Sequence, residues 1–188
     1  MINQQRVIFT RGNAVFSILS LLHIISMFSR VSTAVIAPTL IADFSLNAET
    51  IGLLGGAFFY SFAFMQIPMG PLLDRIGPRV VISCFAFVGA LGAFIFAFAQ
   101  SYAVALTARI LMGIGMAPML MGTFKVFTLV FPANTFSTLA GLVISAGTMG
   151  NMLASSPLAY VADHLGWRTV FFITGVATSA LGMLNFFV

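Results

Sequence analysis

The sequence predicts an all-α membrane protein of six transmembrane helices, arranged as two inverted three-helix repeats. Three observations carry that prediction. The chain is 188 residues long, 60% hydrophobic and only 6% charged, where a soluble domain carries about a quarter charged residues. Six apolar runs are long enough to span, since a bilayer needs about 20 residues of helix. One charged turn motif occurs twice, at the ends of the second and fifth runs.

The spans are expected at 14–40, 51–73, 80–98, 103–124, 137–161 and 169–188. Residues 1–13 are a polar N-terminal segment, and 14–188 form the bundle, with repeats at 14–98 and 103–188. The first run is too long for a secretory signal peptide. The links are short: 43–49, 74–79, 99–102, "FPANTFS" and "DHLGWR". Positive charge collects in cytoplasmic loops. Arg6, Arg11, Arg75, Arg79 and Lys125 fall on one side and Arg168 alone on the other. Both termini are therefore expected in the cytoplasm, in a bacterial inner membrane. Lys125 is expected to snorkel to that surface.

The stretch at 68–79, "PMGPLLDRIGPR", aligns with 157–168, "PLAYVADHLGWR", and both read P-x5-D-x2-G-x-R. The offset is constant, with position 68 matching 157 and 74 matching 163. The two copies fall on opposite membrane faces. Inverted repeats of this kind build secondary transporters.

These residues resemble a known family. "GPLLDRIGPR" is similar to the loop signature of the major facilitator superfamily, G-x-L-x-D-R-x-G-R-R. Gly70, Leu72, Asp74, Arg75, Gly77 and Arg79 match, and Pro78 replaces the first arginine of the usual pair. "RILMGIG", from Arg109 to Gly115, resembles that family's helix 4 signature. "FFYSFAFMQIPMG" and "FSRVSTAVIAP" resemble helices 2 and 1 of its organic-anion symporter branch. The resemblance implies a gating role for Gly70, Asp74, Arg75, Gly77 and Arg79. It implies a cavity lined by helices 1, 2, 4 and 5, with 3 and 6 outside. It also implies twelve helices, whereas this sequence stops at Val188 after six. A fragment, a separate half and a dimerising protomer all fit that length. A second six-helix half, in the same polypeptide or a partner chain, is the expected complement.

Two arginines lie inside spans, where charge is costly and usually functional. Arg30 sits about 15 Å, and Arg109 about 9 Å, below the outer membrane face at 1.5 Å per residue. Tyr60 and Asn151 lie about 14 Å and 15 Å deep. The four acids, Asp43, Glu49, Asp74 and Asp163, are all at span ends. Arg30 and Arg109 thus lack an internal counter-ion, and an anionic solute would relieve that. The expected substrate-binding residues are Arg30, Tyr60, Gln66, Arg109 and Asn151. His23, seven residues before Arg30 on a similar face, is the candidate for proton coupling. In the branch that the chain resembles, carboxylates on helices 1 and 4 carry protons. Here Ser29 precedes Arg30, and Met116 and Met119 stand on helix 4.

Other classes are weighed against this carrier. The two histidines are remote from each other and one cysteine is present, so no catalytic cluster, metal site or cofactor is expected. No basic block suits nucleic acid. No channel filter motif occurs. The expected function is secondary transport of a small solute, an organic anion, by alternating access in the lipid bilayer. An exporter of drugs or hydrophobic compounds, and a non-transporting half-carrier subunit, are the alternatives.

Overall fold

The computed structural model describes residues 2–187, with side chains described from Gly12 onward. Val188, Met1 and the side chains of Arg6 and Arg11 lie outside the described residues. Nine α-helices follow in order: α1 (Ile2–Val35), α2 (Ala37–Phe44), α3 (Ala48–Arg75), α4 (Pro78–Ala97), α5 (Tyr102–Met116), α6 (Pro118–Val130), α7 (Phe136–Leu153), α8 (Ser156–Leu165) and α9 (Trp167–Phe187). A 3-10 turn, Ala133–Thr135, leads into α7. Six segments are long and apolar enough to cross a membrane, so the chain is an integral membrane protein.

Three expected spans are broken helices rather than single ones. The breaks fall at Ile36, Ala117 and the Ala154–Ser155 pair. Pro38, Pro118 and Pro157 open the helices that follow. Proline lacks an N–H and clashes with the preceding turn, but fits a first helical turn. Pro68 and Pro71, by contrast, stay inside a continuous α3. The fourth span also outruns its expected end at 124, reaching Val130. The sequence reading ended that span just before Lys125. It lies instead within α6 and pairs with Asp74 at 2.8 Å. Helix α1 likewise begins at Ile2 rather than at residue 14.

Local chemistry sets the helix ends. Asn47 Oδ1 accepts from the Thr50 N–H at 2.8 Å, and Thr50 Oγ1 accepts from the Asn47 N–H at 3.0 Å. This reciprocal cap starts α3. The repeated turn adopts one backbone shape twice. Gly77 has φ +93° and ψ 146°, and its counterpart Gly166 has φ +79° and ψ 143°. Side-chain-bearing residues avoid this region, so both positions require glycine. Each glycine separates the helix entering the turn from the helix leaving it: α3 from α4, and α8 from α9.

Packing centres on α4, which lies between α5 and α9. Helix α1 packs on α7, and α3 on α5. Backbones approach closely where glycines remove side chains: Gly89 meets Gly115 between α4 and α5, and Gly150 meets the Ile24 carbonyl between α7 and α1. Such contacts hold membrane helices together without a hydrophobic drive. Phe96, Phe171 and Trp167 meet edge to face or tilted in an aromatic knot joining α4 to α9, with Phe96 and Phe171 centroids 4.7 Å apart. The second and fifth spans are the barest, each with 17% of its apolar window buried, against 56% for the third and fourth. Helices α3 and α7 therefore present the open faces of the bundle.

Candidate functional site

The two interior arginines are organised by two phenylalanines of α3. Phe58 and Phe62 stand one turn apart and stack with centroids 6.2 Å apart. Arg30, from α1, lays its guanidinium 4.1 Å above the Phe62 ring. Arg109, from α5, sits 4.8 Å from the Phe58 ring. Each ring face is negative and attracts the cation. The two arginines are further linked through α1. Arg109 Nη1 donates to the Ser29 carbonyl at 3.0 Å, one residue before Arg30. Among the described residues neither arginine forms an ion pair.

Their environments differ. Arg30 is half-buried, while Arg109 is completely enclosed, at 0% exposure. Depth was readable in the sequence, but enclosure was not. Of the two, Arg30 alone keeps exposed surface in this conformation.

The other expected contacts separate in the same way. Gln66 lies on the Phe62 side of α3, but its Nε2 donates to the Ala117 carbonyl at 3.1 Å. It ties α3 to the break between α5 and α6. Tyr60 is 75% exposed and lines a groove of about 450 Å³ with Leu106 and Ile110. Two residues along a helix turn about 200°, so Tyr60 points away from the arginine face that Phe62 defines. The structure thus corrects the expected grouping: Tyr60 is not brought to the arginines. Asn151 is exposed on α7, next to the Gly150 that packs against α1.

His23 is buried, with its Nδ1 unpartnered and its Nε2 edge against Gly147 of α7. It belongs to a run of buried polar residues, winding round α1, that the sequence reading missed. Ser20, His23, Ser26, Ser29 and Ser32 recur at every third residue of α1, and all are buried. The period was visible in "SLLHIISMFSRVS". The hydroxyls of Ser20, Ser26 and Ser29 have no partner.

The expected gating loop divides into two environments. Asp74 meets Lys125, beside a cavity of about 360 Å³ lined in part by Gly70, Met121 and Phe136. Arg79 lines a cavity of about 240 Å³ together with Gly77 and Asn185. Asn185 Nδ2 donates to the Arg79 carbonyl at 3.2 Å and the Ser83 hydroxyl at 2.9 Å. Arg75 is exposed. At the opposite end Asp43 Oδ2 accepts from Trp167 Nε1 at 3.0 Å and Arg168 Nη1 at 2.6 Å. Arg168 Nη2 also donates to the Ala99 carbonyl at 3.2 Å, so three segments meet at one clamp.

Six spans, three of them broken, hold two interior arginines, one enclosed and one half-buried, and comparison with known proteins identifies the family. Residues 19–188 match the sequence model of the Major Facilitator Superfamily, and the chain belongs to that family. It is 30% identical over 163 residues to YybO of Bacillus subtilis (strain 168), named an uncharacterized transporter, covering 85% of this chain and 37% of that protein. It is 31% identical over 153 residues to a probable L-galactonate transporter of Escherichia coli (strain K12), covering 81% and 34%. It is 24% identical over 173 residues to SauU, a probable sulfoacetate transporter of Cupriavidus necator, covering 92% and 40%. The chain thus spans 34–40% of the length of these relatives. The fold matches the crystal structure of a bacterial homologue of the human lysosomal transporter Spinster, in an inward-facing and occupied conformation. The TM-score is 0.84 at 24% identity, covering 94% of this chain and 44% of that one. The xylose transporter XylE of E. coli matches with a TM-score of 0.78 at 16% identity, covering 96% and 48%. The fold is half of a major facilitator fold.

Proposed function

We propose that this chain forms the N-terminal half of a secondary transporter that moves a small organic anion by alternating access. One observation carries the reading. Arg30 is a half-buried guanidinium, fixed on the Phe62 ring and without a carboxylate among the described residues. A planar fork held this way suits a carboxylate or sulfonate. The names of the similar proteins, which include probable L-galactonate and sulfoacetate transporters, support the same class. Asn151 supplies a hydrogen bond from α7. Gln66 and Arg109 support the site from behind. His23 is the proton-coupling candidate.

The bare faces of α3 and α7 receive a second six-helix half, within one polypeptide or from a partner chain. Residues 1–13 lead into the bundle 14–188 from the cytoplasmic side of a bacterial inner membrane. Gly70, Asp74, Arg75, Gly77 and Arg79 gate that side. The Asp74–Lys125 pair is the contact that closes or releases it.

The test is binding of sugar acids and short sulfonates to the full-length protein in nanodiscs, followed by counterflow in proteoliposomes. Arg30→Ala loses about two charge-assisted hydrogen bonds, and so about 100-fold in affinity. Arg30→Lys keeps the charge without the fork and falls between the two. Full affinity in a folded Arg30→Ala protein refutes the assignment.

A further inference from the structure

Two turns share one backbone shape but are filled differently. The offset that pairs Gly77 with Gly166 also pairs Arg79 with Arg168, Pro78 with Trp167 and Asn185 with Phe96. At the second turn the chain closes on itself. Trp167 lies against Phe96, with ring centroids 5.1 Å apart, and Arg168 has the Asp43 carboxylate. At the first turn Pro78 and Asn185 hold the positions of the two rings, and both line a cavity of about 240 Å³. Arg79 lines it as well, is exposed, and has no ion pair among the described residues.

Two kinds of surface meet in this cavity. One end is electropositive, and no carboxylate is among the lining residues. Arg79 stands in the first turn of α4, where Pro78 has no N–H and those of Arg79 and Val80 have no acceptor in the helix. Arg75, at the end of α3, is a second exposed cation without an ion pair among the described residues. Asn185, only 8% exposed, braces this end through the Arg79 carbonyl and the Ser83 hydroxyl. The opposite wall is apolar, built from Val15, Val126, Leu129 and Val130. Leu129 and Val130 are 65% and 51% exposed at the end of a membrane span, so that wall is open to hydrocarbon. A water-borne anion matches the first surface and leaves the second bare. A phospholipid matches both, with its phosphate at the cationic end and an acyl chain along the wall.

We propose that this cavity binds an anionic glycerophospholipid. The Arg79 guanidinium and the free N–H groups of α4 hold its phosphate, and its first acyl carbons lie against Val126, Leu129 and Val130. The lipid supplies at this turn the counter-charge and the filling that Asp43 and the Trp167–Phe96 pair supply at the other. The proposal needs the chain to sit in a bilayer and does not rest on what it transports.

The test uses the full-length protein without added solute, equilibrated with equal parts of phosphatidylglycerol and phosphatidylcholine. Native mass spectrometry then reads which lipid it retains. One charge-assisted hydrogen bond to the phosphate end gives about tenfold preference for phosphatidylglycerol. Arg79→Ala removes most of that preference, while its main-chain carbonyl still meets Asn185, and Arg79→Lys restores part of it. Leu129→Trp, at an exposed position, keeps the charge and crowds the apolar wall, so it lowers phosphatidylglycerol retention in a folded protein. Equal retention of the two lipids by the parent overturns the proposal, as does a preference unchanged in Arg79→Ala or in Leu129→Trp. Millimolar inorganic phosphate separates the two sources of such an anion. Retention that survives it supports a lipid, and displacement of the lipid by phosphate overturns the assignment. A negative result leaves the Arg30 reading standing, because no solute enters the assay.

Discussion

Removing the Asp43 carboxylate should loosen one end of the bundle by a calculable amount. Asp43 and Arg168 are 36% and 45% exposed at their side chains, so their ion pair is worth at most about 1 kcal/mol. The Trp167 indole hydrogen bond goes to a charged acceptor at 3.0 Å and adds about 1.5 kcal/mol. Asp43→Ala forfeits both, about 2 kcal/mol after screening. For a domain of this size that lowers the unfolding midpoint by about 5 °C. Asp43→Asn retains an acceptor for Trp167 and loses about half as much. Trp167 is the sole tryptophan of the sequence, so its emission reports on this corner alone. The Trp167 hydrogen bond, and then that of Arg168, hold the Asp43 carboxyl below the usual carboxylate range. Its contribution is therefore complete above the unfolded value near 4 and fades as pH falls through the lower folded value. The emission should shift on acidification in the parent protein and stay flat in Asp43→Asn. An unchanged midpoint and unchanged emission in Asp43→Ala would show that the clamp is not formed.

Two further substitutions probe the backbone. A methyl at Gly115 runs into the Gly89 backbone, which cannot yield as a side chain tip can. Gly115→Ala should cost about 3 kcal/mol in denaturant unfolding, while Gly52→Ala, where nothing lies within 4 Å, is tolerated. Gly77→Ala places a side chain at φ +93° and should cost about 2 kcal/mol, with a similar loss at Gly166. Equal tolerance at Gly52 and Gly115 in the same assay would refute the close α4–α5 approach.

The six spans and the twin turn were legible because hydropathy and spacing act locally. The breaks were not, since the same residue has opposite outcomes. Pro118 divides the fourth span, while Pro68 and Pro71 leave α3 whole. Neighbouring helices decide between them, as Gln66 does by reaching the Ala117 carbonyl at the break. Lys125 misled for a related reason. A charge inside a helix reads as a boundary until its partner, 51 residues earlier, is known. The arginines were found by type and depth. Which of them keeps exposed surface depends on orientation about the helix axis. That is fixed by contacts such as Arg30 on Phe62 and Arg109 on Phe58, which no single-span pattern records.

The two turns share a backbone and differ in their bonds. Asp74 is clamped by Lys125, but its repeat counterpart Asp163 has no ion pair among the described residues. Arg168 is clamped by Asp43, and its counterpart Arg79 has none. The backbone of the turn is repeated, and the ion pair is not. Each end of the bundle is consequently tied by a pair with no counterpart at the other, so loss of one pair leaves the other intact.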